Sequence, residues 1–232
     1  MMKAIGFDLG DTLIYYKNVP LNWEKLYREA LLKVVDCCNL VINEKMLFDA
    51  EHILAKYNTR LNPRIEEIDA NKIFTEILLK WNFNVEKNLV LSQEVFFEFF
   101  QKKVGLYDDT IPILAYLKNR NLKIGILTDV PYGMNKQYVN RDIELISEYI
   151  EVALTSVEVG RRKPCSKGYL ELAKFLKVEP YEMIYVGNEE KDIIGANNAG
   201  IYSVLINRDD KVIFSGEKLR ITSLLELKSL FD

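Results

Sequence analysis

Acidic and hydroxyl side chains follow short apolar runs along this chain, and these residues define the chemistry that the sequence can support. The run AIGF ends at Asp8, with Asp11 and Thr12 close behind it. The run KIGIL leads into Thr128 and Asp129. Carboxylate and hydroxyl oxygens are the groups that bind hard cations, so each position is a candidate ligand or catalytic group.

Two further segments add a cation and more oxygen atoms. The stretch EVGRRKP carries Lys163, and VGNEEKD carries Asn188, Glu189 and Asp192. A lysine ammonium is a point charge suited to phosphate oxygens. Mg²⁺ usually binds through one or two carboxylates together with the phosphate of a substrate. If the four segments converge, they could bind a metal ion and a tetrahedral anion together.

The elements that position these residues read as an α/β fold. Residues 3–8 have the pattern of a short buried strand, and strands alternate with helices after residue 107. The predicted strands there are 122–128, 152–156, 183–187 and 202–206, and the predicted helices are 109–119, 134–149, 167–176 and 191–199. This alternation indicates a doubly wound parallel sheet, in which ligands bind outside the carboxyl ends of the strands.

Between the first strand and this alternating region lies a segment with a helical pattern only. Apolar residues recur there at spacings of three and four, which predicts about four helices with Asn22, Asn43 and Ser92 as N-caps. We therefore predict an α/β core of residues 1–16 and 104–232, interrupted by an all-helical cap of residues 17–103.

Composition narrows the classes of function. The chain has 232 residues, a formal charge of -3, 49% hydrophobic and 28% charged residues. This balance gives no electrostatic reason to expect nucleic acid or an acidic membrane surface as partner, and no apolar stretch is long enough to span a bilayer. The three cysteines have no disulfide or zinc spacing. We expect a cytoplasmic protein, monomeric or homodimeric, without nucleic-acid or membrane partners.

Four motifs together resemble the haloacid dehalogenase (HAD) superfamily, whose members are mostly Mg²⁺-dependent phosphatases. FDLGDTL is similar to its first motif, ILTD to its second, GRRKPCSKGYLELAKFL to its third and IYVGNEEKDIIGANNAGI to its fourth. The resemblance covers residues 3–16 and about 108–206. The helical segment falls where the family places its C1 cap.

The resemblance implies a role for each matching residue. Asp8 would be the nucleophile that forms an aspartyl-phosphate, Thr128 would hydrogen-bond the phosphoryl group, and Lys163 would hold Asp8 and neutralise charge. A Mg²⁺ ion would be bound by Asp8, the Gly10 backbone carbonyl and Asn188. Four further residues would have supporting roles: Asp11, Asp129, Glu189 and Asp192. The substrate would be a small phosphate ester, and its identity stays open.

Two positions depart from the family pattern. Gly10 stands where most phosphatases of the family have an aspartate that acts as general acid and base. Asp11 could reach round to replace it, although we favour Asp11 as the cap of a following helix. Asn188 stands where a ligating aspartate is usual, which predicts weaker metal binding unless Glu189 or Asp192 compensates, directly or through water.

These departures leave two alternatives to the phosphatase open. One is a metal-independent hydrolase acting on a non-phosphate substrate, as dehalogenases of the superfamily do, which would need a halide-binding arginine in the cap. We interpret the insert arginines Arg28, Arg60 and Arg64 as surface residues. The other alternative is a catalytically weak HAD-like binding protein.

Overall fold

The computed structural model describes residues 2–101, 104–209 and 213–231, and its main feature is a parallel sheet. In chain order the strands are β1 (Ala4–Phe7), β2 (Ile14–Tyr16), β3 (Val104–Leu106), β4 (Lys123–Thr128), β5 (Val152–Thr155), β6 (Met183–Gly187), β7 (Tyr202–Ile206) and β8 (Leu219–Ile221). Six of them form one sheet in the order β5-β4-β1-β6-β7-β8, with every pair parallel. The predicted fold class is confirmed.

Helices flank the sheet and fill the segment between β2 and β3. They are α1 (Tyr27–Cys37), α2 (Glu44–Tyr57), α3 (Ala70–Lys80), α4 (Val85–Phe100), α5 (Thr110–Asn119), α6 (Lys136–Asp142), α7 (Ser156–Val159), α8 (Ser166–Phe175) and α9 (Glu190–Asn198). The first four lie in the segment predicted to be all-helical, and the described part of that segment contains no strand.

Helix starts in the insert follow the sequence prediction at one of three positions. Asn43 caps α2, because its side chain accepts a hydrogen bond from the Met46 amide. The prediction that Asn22 caps an α-helix was wrong, since its side chain accepts a hydrogen bond from the Glu24 amide at the start of a short 3₁₀ turn. The prediction that Ser92 caps a helix was also wrong, because Ser92 lies buried in the middle of α4, whose N-cap is Asn84.

Strands β2 and β3 form a two-stranded antiparallel ribbon that the sequence pattern did not predict. Ile14 pairs with Leu106, and Tyr16 pairs with Val104. The segment that leaves the core therefore lies next to the segment that returns to it. Strands of three residues are too short to display a period of two. The predicted cap boundary at residue 103 lies outside the described residues, as do the chain ends at residues 1 and 232.

The sheet separates two apolar layers, as strand alternation requires. On β6, Ile184 and Val186 join one cluster, whereas Met183 and Tyr185 join the other. Eight apolar residues of the predicted strands are buried: Ile5, Phe7, Ile124, Ile126, Ile184, Val186, Val204 and Leu205. Strand β1 lies between β4 and β6 in this sheet, so its carboxyl end lies beside the carboxyl ends of those two strands.

Candidate active site

A buried lysine joins two carboxylates at the carboxyl ends of β1 and β6. Lys163 Nζ donates to Asp8 Oδ1 at 2.5 Å and to Asp192 Oδ1 at 2.7 Å. Asp8 directly follows β1, where its amide donates to the Val186 carbonyl. Asp192 lies in the first turn of α9, and Lys163 in the loop between α7 and α8. The geometry brings together three residues that are far apart in the sequence.

Burial and charge shift the titration of this triad. Burial raises the pKa of Asp8 to about 7, with Lys163 lowering it and the Asp192 carboxylate raising it. Burial alone would lower the pKa of Lys163, but the Asp192 and Asp8 carboxylates raise that pKa well above its ordinary value. Lys163 therefore stays charged, and a further cation at Asp8 would favour the ionised carboxylate.

Thr128 and Asp129 follow from the end of β4. Thr128 is buried and lines the same cavity as Asp8. Asp129 accepts from the Lys163 amide at 3.2 Å and pairs with Lys191 at 3.2 Å. Burial would raise the pKa of Asp129, but Arg162 and Lys191 hold it below its ordinary value. Asp129 thus anchors the loop that carries Lys163.

The predicted metal ligands Asp8, Gly10 and Asn188 also line this cavity. They offer one carboxylate, one backbone carbonyl and one amide oxygen, which are ligand types that Mg²⁺ accepts while keeping several waters. Asn188 Oδ1 accepts from Thr12 Oγ1 at 3.3 Å. Within the described ranges, no cluster of three or more His, Cys, Asp or Glu side chains suits a metal ion. The donor set fits a weakly held Mg²⁺.

Glu189 and Asp192 are committed to other partners. Glu189 forms ion pairs with Arg60 and, at 2.9 Å, with Lys191. Burial would raise the pKa of Glu189, but Lys191 and Arg60 lower it to about 2. Asp192 Oδ2 accepts from the Glu189 amide at 2.9 Å, while its other oxygen binds Lys163. In this arrangement both carboxylates are engaged by lysine, arginine or backbone donors.

The expectation that Asp11 caps a helix was wrong. No helix starts here, because the chain turns at residues 11–13 and enters β2. Asp11 has a left-handed backbone, with φ of 56°, and its side chain lies on the cavity wall. Burial and the nearby Glu189 carboxylate raise the pKa of Asp11 above its ordinary value.

Space exists for a side chain at Gly10. A Cβ atom built on this residue would have Tyr16 Cε2 as its nearest neighbour, at 3.9 Å, which is ordinary van der Waals contact. Glycine is therefore not required here by packing. Glycine at this position instead affects the chemistry of the site, because no acidic side chain extends from it into the cavity.

The insert arginines do not share one environment. Arg28 lies at the surface as expected and pairs with Glu44. Arg60 lines the cavity and pairs with Glu189, so it contributes to the site. Arg64 was wrongly expected at the surface: only 16% of its side chain is exposed, and it donates to the Tyr57 carbonyl at 2.7 Å.

Sequence reasoning missed an aromatic wall of the cavity. Trp23 stacks on Phe100 with ring centroids 3.8 Å apart, and Tyr132 packs against Trp23 at 5.5 Å. All three line the cavity, as does Tyr16. They come from separate elements and follow no spacing rule, so no sequence pattern predicts that they lie together. The aromatic content of the chain is the one related signal.

Comparison with known proteins identifies the family. A family profile described as haloacid dehalogenase-like hydrolase matches residues 2–200. The chain belongs to the haloacid dehalogenase-like hydrolases. The predicted resemblance and the assignment as an enzyme of the hydrolase class are therefore confirmed.

Several relatives of this HAD-like hydrolase have named activities. It is 30% identical to a glyceraldehyde 3-phosphate phosphatase of Methanopyrus kandleri, over 90% of this chain and 85% of that protein. It is 25% identical to the pyrophosphatase PpaX of Bacillus mycoides, over 89% of this chain and 84% of the relative.

Solved structures share the fold along nearly the whole chain. A HAD phosphatase from Thermococcus onnurineus matches with a TM-score of 0.68 and 23% identity, covering 99% of this chain and 98% of the other. A 2-haloacid dehalogenase from Pseudomonas syringae pv. Tomato matches with a TM-score of 0.69 and 20% identity, covering 100% and 98%. In residues 2–101, 104–209 and 213–231, no helix combines the length and apolar content needed to cross a membrane.

Proposed function

We propose that this protein is a Mg²⁺-dependent phosphatase that hydrolyses a small phosphate ester through an aspartyl-phosphate on Asp8. The observation that carries the proposal is the buried contact of Lys163 with both Asp8 and Asp192, together with the cavity that Asp8 and Thr128 both line. Relatives named as phosphatases that align over most of the chain support it.

In the proposed first step, a carboxylate oxygen of Asp8 attacks phosphorus and the bond to the leaving oxygen breaks. Lys163 fixes Asp8 Oδ1 and compensates the charge that builds on the phosphoryl oxygens. The Thr128 hydroxyl would donate a hydrogen bond to one of those oxygens. In the second step, water attacks the same phosphorus and releases Asp8.

The metal would be held by Asp8, the Gly10 carbonyl and Asn188. When bound, Mg²⁺ would neutralise negative charge on the phosphoryl group. The single carboxylate in this set predicts weak binding of the ion. Burial raises the pKa of Asp8 to about 7, and a cation beside it would favour the ionised carboxylate.

We further propose that residues 17–103 act as a cap over this site. The insert reaches the loop before Lys163 through a buried ion pair of Glu67 with Arg162 and a hydrogen bond of 2.7 Å from the Arg162 amide to Ile65. Arg60 reaches the fourth motif through Glu189. These contacts support a cap over the ends of the strands, where it would exclude water.

The lining of the cavity supports a substrate with a small, uncharged leaving group. The water-accessible cavity has a volume of about 160 Å³. Its cations Arg60, Arg162 and Lys191 are paired with carboxylates, and its lining also includes the stacked rings of Trp23 and Phe100. Because each of these three cations already has an acidic partner, a second phosphate would be poorly compensated. A three-carbon phosphate fits this lining better than pyrophosphate.

A metal-independent hydrolase is the second candidate, favoured by Gly10 and by the neutral Asn188. Phosphate and halide release should be measured with Mg²⁺ and with chelator, using p-nitrophenyl phosphate, glyceraldehyde 3-phosphate and a 2-haloacid. Mg²⁺-dependent phosphate release supports the phosphatase. Halide release that persists in chelator would replace it with the second candidate.

A further inference from the structure

A chain of hydrogen bonds runs from the insert to the aromatic wall of the cavity. The Arg60 amide donates to Asn58 Oδ1 at 2.9 Å, which fixes the orientation of the Asn58 side chain. Asn58 Nδ2 donates to Asn22 Oδ1 at 2.8 Å and to Tyr27 Oη at 2.7 Å. Tyr27 Oη in turn hydrogen-bonds Tyr132 Oη. Tyr27 therefore accepts from the Asn58 amide and shares a second hydrogen bond with Tyr132.

The pair of tyrosine hydroxyls carries two protons, and the hydrogen bonds of the protein use one of them. One hydroxyl donates to the other, and Tyr27 Oη also accepts from Asn58. In the part of the chain that the structure describes, these are the only hydrogen bonds of either hydroxyl. The second hydroxyl proton thus has no acceptor among the described residues.

The unused proton is placed on Tyr132 by the surroundings of the two rings. Both side chains are buried, with 2% of Tyr27 and 4% of Tyr132 exposed, and Tyr132 is the one that lines the cavity. A buried donor without a partner costs about 1–3 kcal/mol. That cost is avoided when Tyr27 donates to Tyr132 and Tyr132 donates to a molecule in the cavity.

Tyr132 occupies a fixed position on the cavity wall. Its backbone is left-handed, with φ of 52°, which is uncommon for a residue that has a side chain. Its ring packs against Trp23 at 5.5 Å and edge to face against Tyr27 at 6.0 Å. The next residue, Gly133, lies so close to the insert that a Cβ there would be 2.2 Å from the Ile68 carbonyl oxygen. A hydroxyl held in this way needs little further ordering to bind a ligand.

We propose that the Tyr132 hydroxyl donates a hydrogen bond to an uncharged oxygen of the leaving group, and so selects phosphate esters with a carbonyl or hydroxyl oxygen on a short carbon chain. This inference rests on the proposed phosphatase function and defines its substrate class more closely. Asp8 and Tyr132 line the same cavity of about 160 Å³, so a small ester can contact both. Because the neighbouring wall is aromatic, a single directed donor distinguishes an oxygenated chain from a purely alkyl one.

Competition against p-nitrophenyl phosphate measures this selection without requiring turnover of the competitor. The competitors are propyl phosphate, glycerol 3-phosphate and glyceraldehyde 3-phosphate, which share a three-carbon chain and differ in its oxygen atoms. Wild-type protein should have lower inhibition constants for the two oxygenated esters than for propyl phosphate. Tyr132→Phe should reduce this preference about three- to tenfold, as expected for one neutral hydrogen bond. The ratio of constants cancels any effect of the substitution on the phosphate end of the ligand.

Two further variants separate recognition from structure. Tyr138 on α6 is also 4% exposed and is not among the residues that line the cavity, so Tyr138→Phe should keep the wild-type preference. Tyr27→Phe tests the direction of the hydrogen bonds and should not raise the preference. A rise would show that Tyr132 donates to Tyr27 in the wild type, and would overturn the proposal.

Two other results would also overturn it. One is an undiminished preference in Tyr132→Phe protein whose fold is confirmed by circular dichroism. The other is a set of equal inhibition constants for the three esters in wild-type protein, a result that requires no variant to fold.

The release of phosphate from p-nitrophenyl phosphate distinguishes this inference from the proposal on which it rests. If wild-type protein releases phosphate and Asp8→Asn does not, the phosphatase stands and only selection by Tyr132 is at issue. If there is no Asp8-dependent release, both proposals fail.

Discussion

Lys163 Nζ lies 2.7 Å from Asp192 Oδ1, although the two residues are 29 positions apart and Asp192 has no exposed surface. The same ammonium holds Asp8 at 2.5 Å. The ammonium thus balances the buried Asp192 carboxylate while it holds Asp8 in place. Because a charge removed from such a pair leaves the other buried and uncompensated, the site and the fold depend on the same contact.

Asp192→Asn should destabilise the protein as well as slow it. The substitution removes one of the two carboxylates that compensate Lys163, and breaking a buried pair costs about 3–5 kcal/mol. Urea unfolding measures the loss, with Asp36→Asn on the exposed face of α1 as control. A loss below about 1 kcal/mol would show that Asp8 alone suffices for Lys163.

Gly10→Asp should restore the family's acid and raise kcat on poor leaving groups. The nearest atom to a new Cβ is Tyr16 Cε2 at 3.9 Å, so the Cβ of the new residue makes only ordinary van der Waals contact. Turnover of glycerol 3-phosphate should rise by about 10²-fold, the lower end of the range for general acid–base help. Gly10→Asn is the matched control without an acid. An equal rise in that control would point to packing rather than to proton transfer.

Asn188→Asp should tighten the binding of Mg²⁺. The change adds a second carboxylate to a predicted ligand set that otherwise holds only Asp8, and charge count governs affinity for this ion. The Mg²⁺ concentration for half-maximal phosphate release should fall about tenfold. An unchanged Mg²⁺ requirement would place the ion elsewhere or remove it from the reaction.

Asp142 should make the stability of the protein depend on pH in a defined window. Burial raises the pKa of Asp142 from its ordinary value of 3.8 to about 6 in the folded protein. Asp142 therefore binds its proton more tightly in the folded state than in the unfolded state. The stabilisation is present below about pH 4 and is lost as pH rises through 6, by about 3 kcal/mol.

Unfolding free energies of wild type and Asp142→Asn between pH 4 and 7 test this linkage. The variant should lose less stability over that range, while Asp36→Asn should follow wild type. Asp8 contributes in the same direction up to about pH 7 in all three proteins, so the difference isolates Asp142. Parallel curves for all three would show that Asp142 is ionised in the folded protein.

The fold could be predicted from the sequence because its strands are buried on both faces and their helices are amphipathic. Strand ends then located the charged site, since parallel strands bring Asp8, Thr128 and the fourth motif to one edge. The ribbon of β2 and β3, and the edge strand β8, have three residues each, too few to show a period.

Other features depended on tertiary contacts that no local pattern encodes. The hydrogen bond from Tyr16 Oη to Asp142 Oδ2 joins residues 126 positions apart, so no local sequence pattern predicts it. Asp11 has the residue type of a helix cap, yet the following turn leads to a strand because Leu13 and Ile14 are buried in the core. The Arg64 side chain is only 16% exposed despite its charge, and it donates to the Tyr57 carbonyl.

Phosphate release by wild type, Asp8→Asn and Asp36→Asn, each with Mg²⁺ and with chelator, tests the central claim most directly. With p-nitrophenyl phosphate and glyceraldehyde 3-phosphate as substrates, we predict Mg²⁺-dependent release by wild type and by Asp36→Asn. Release should be absent in Asp8→Asn, whose fold is checked by circular dichroism. Undiminished release by a folded Asp8→Asn protein would contradict the assignment of Asp8 as nucleophile.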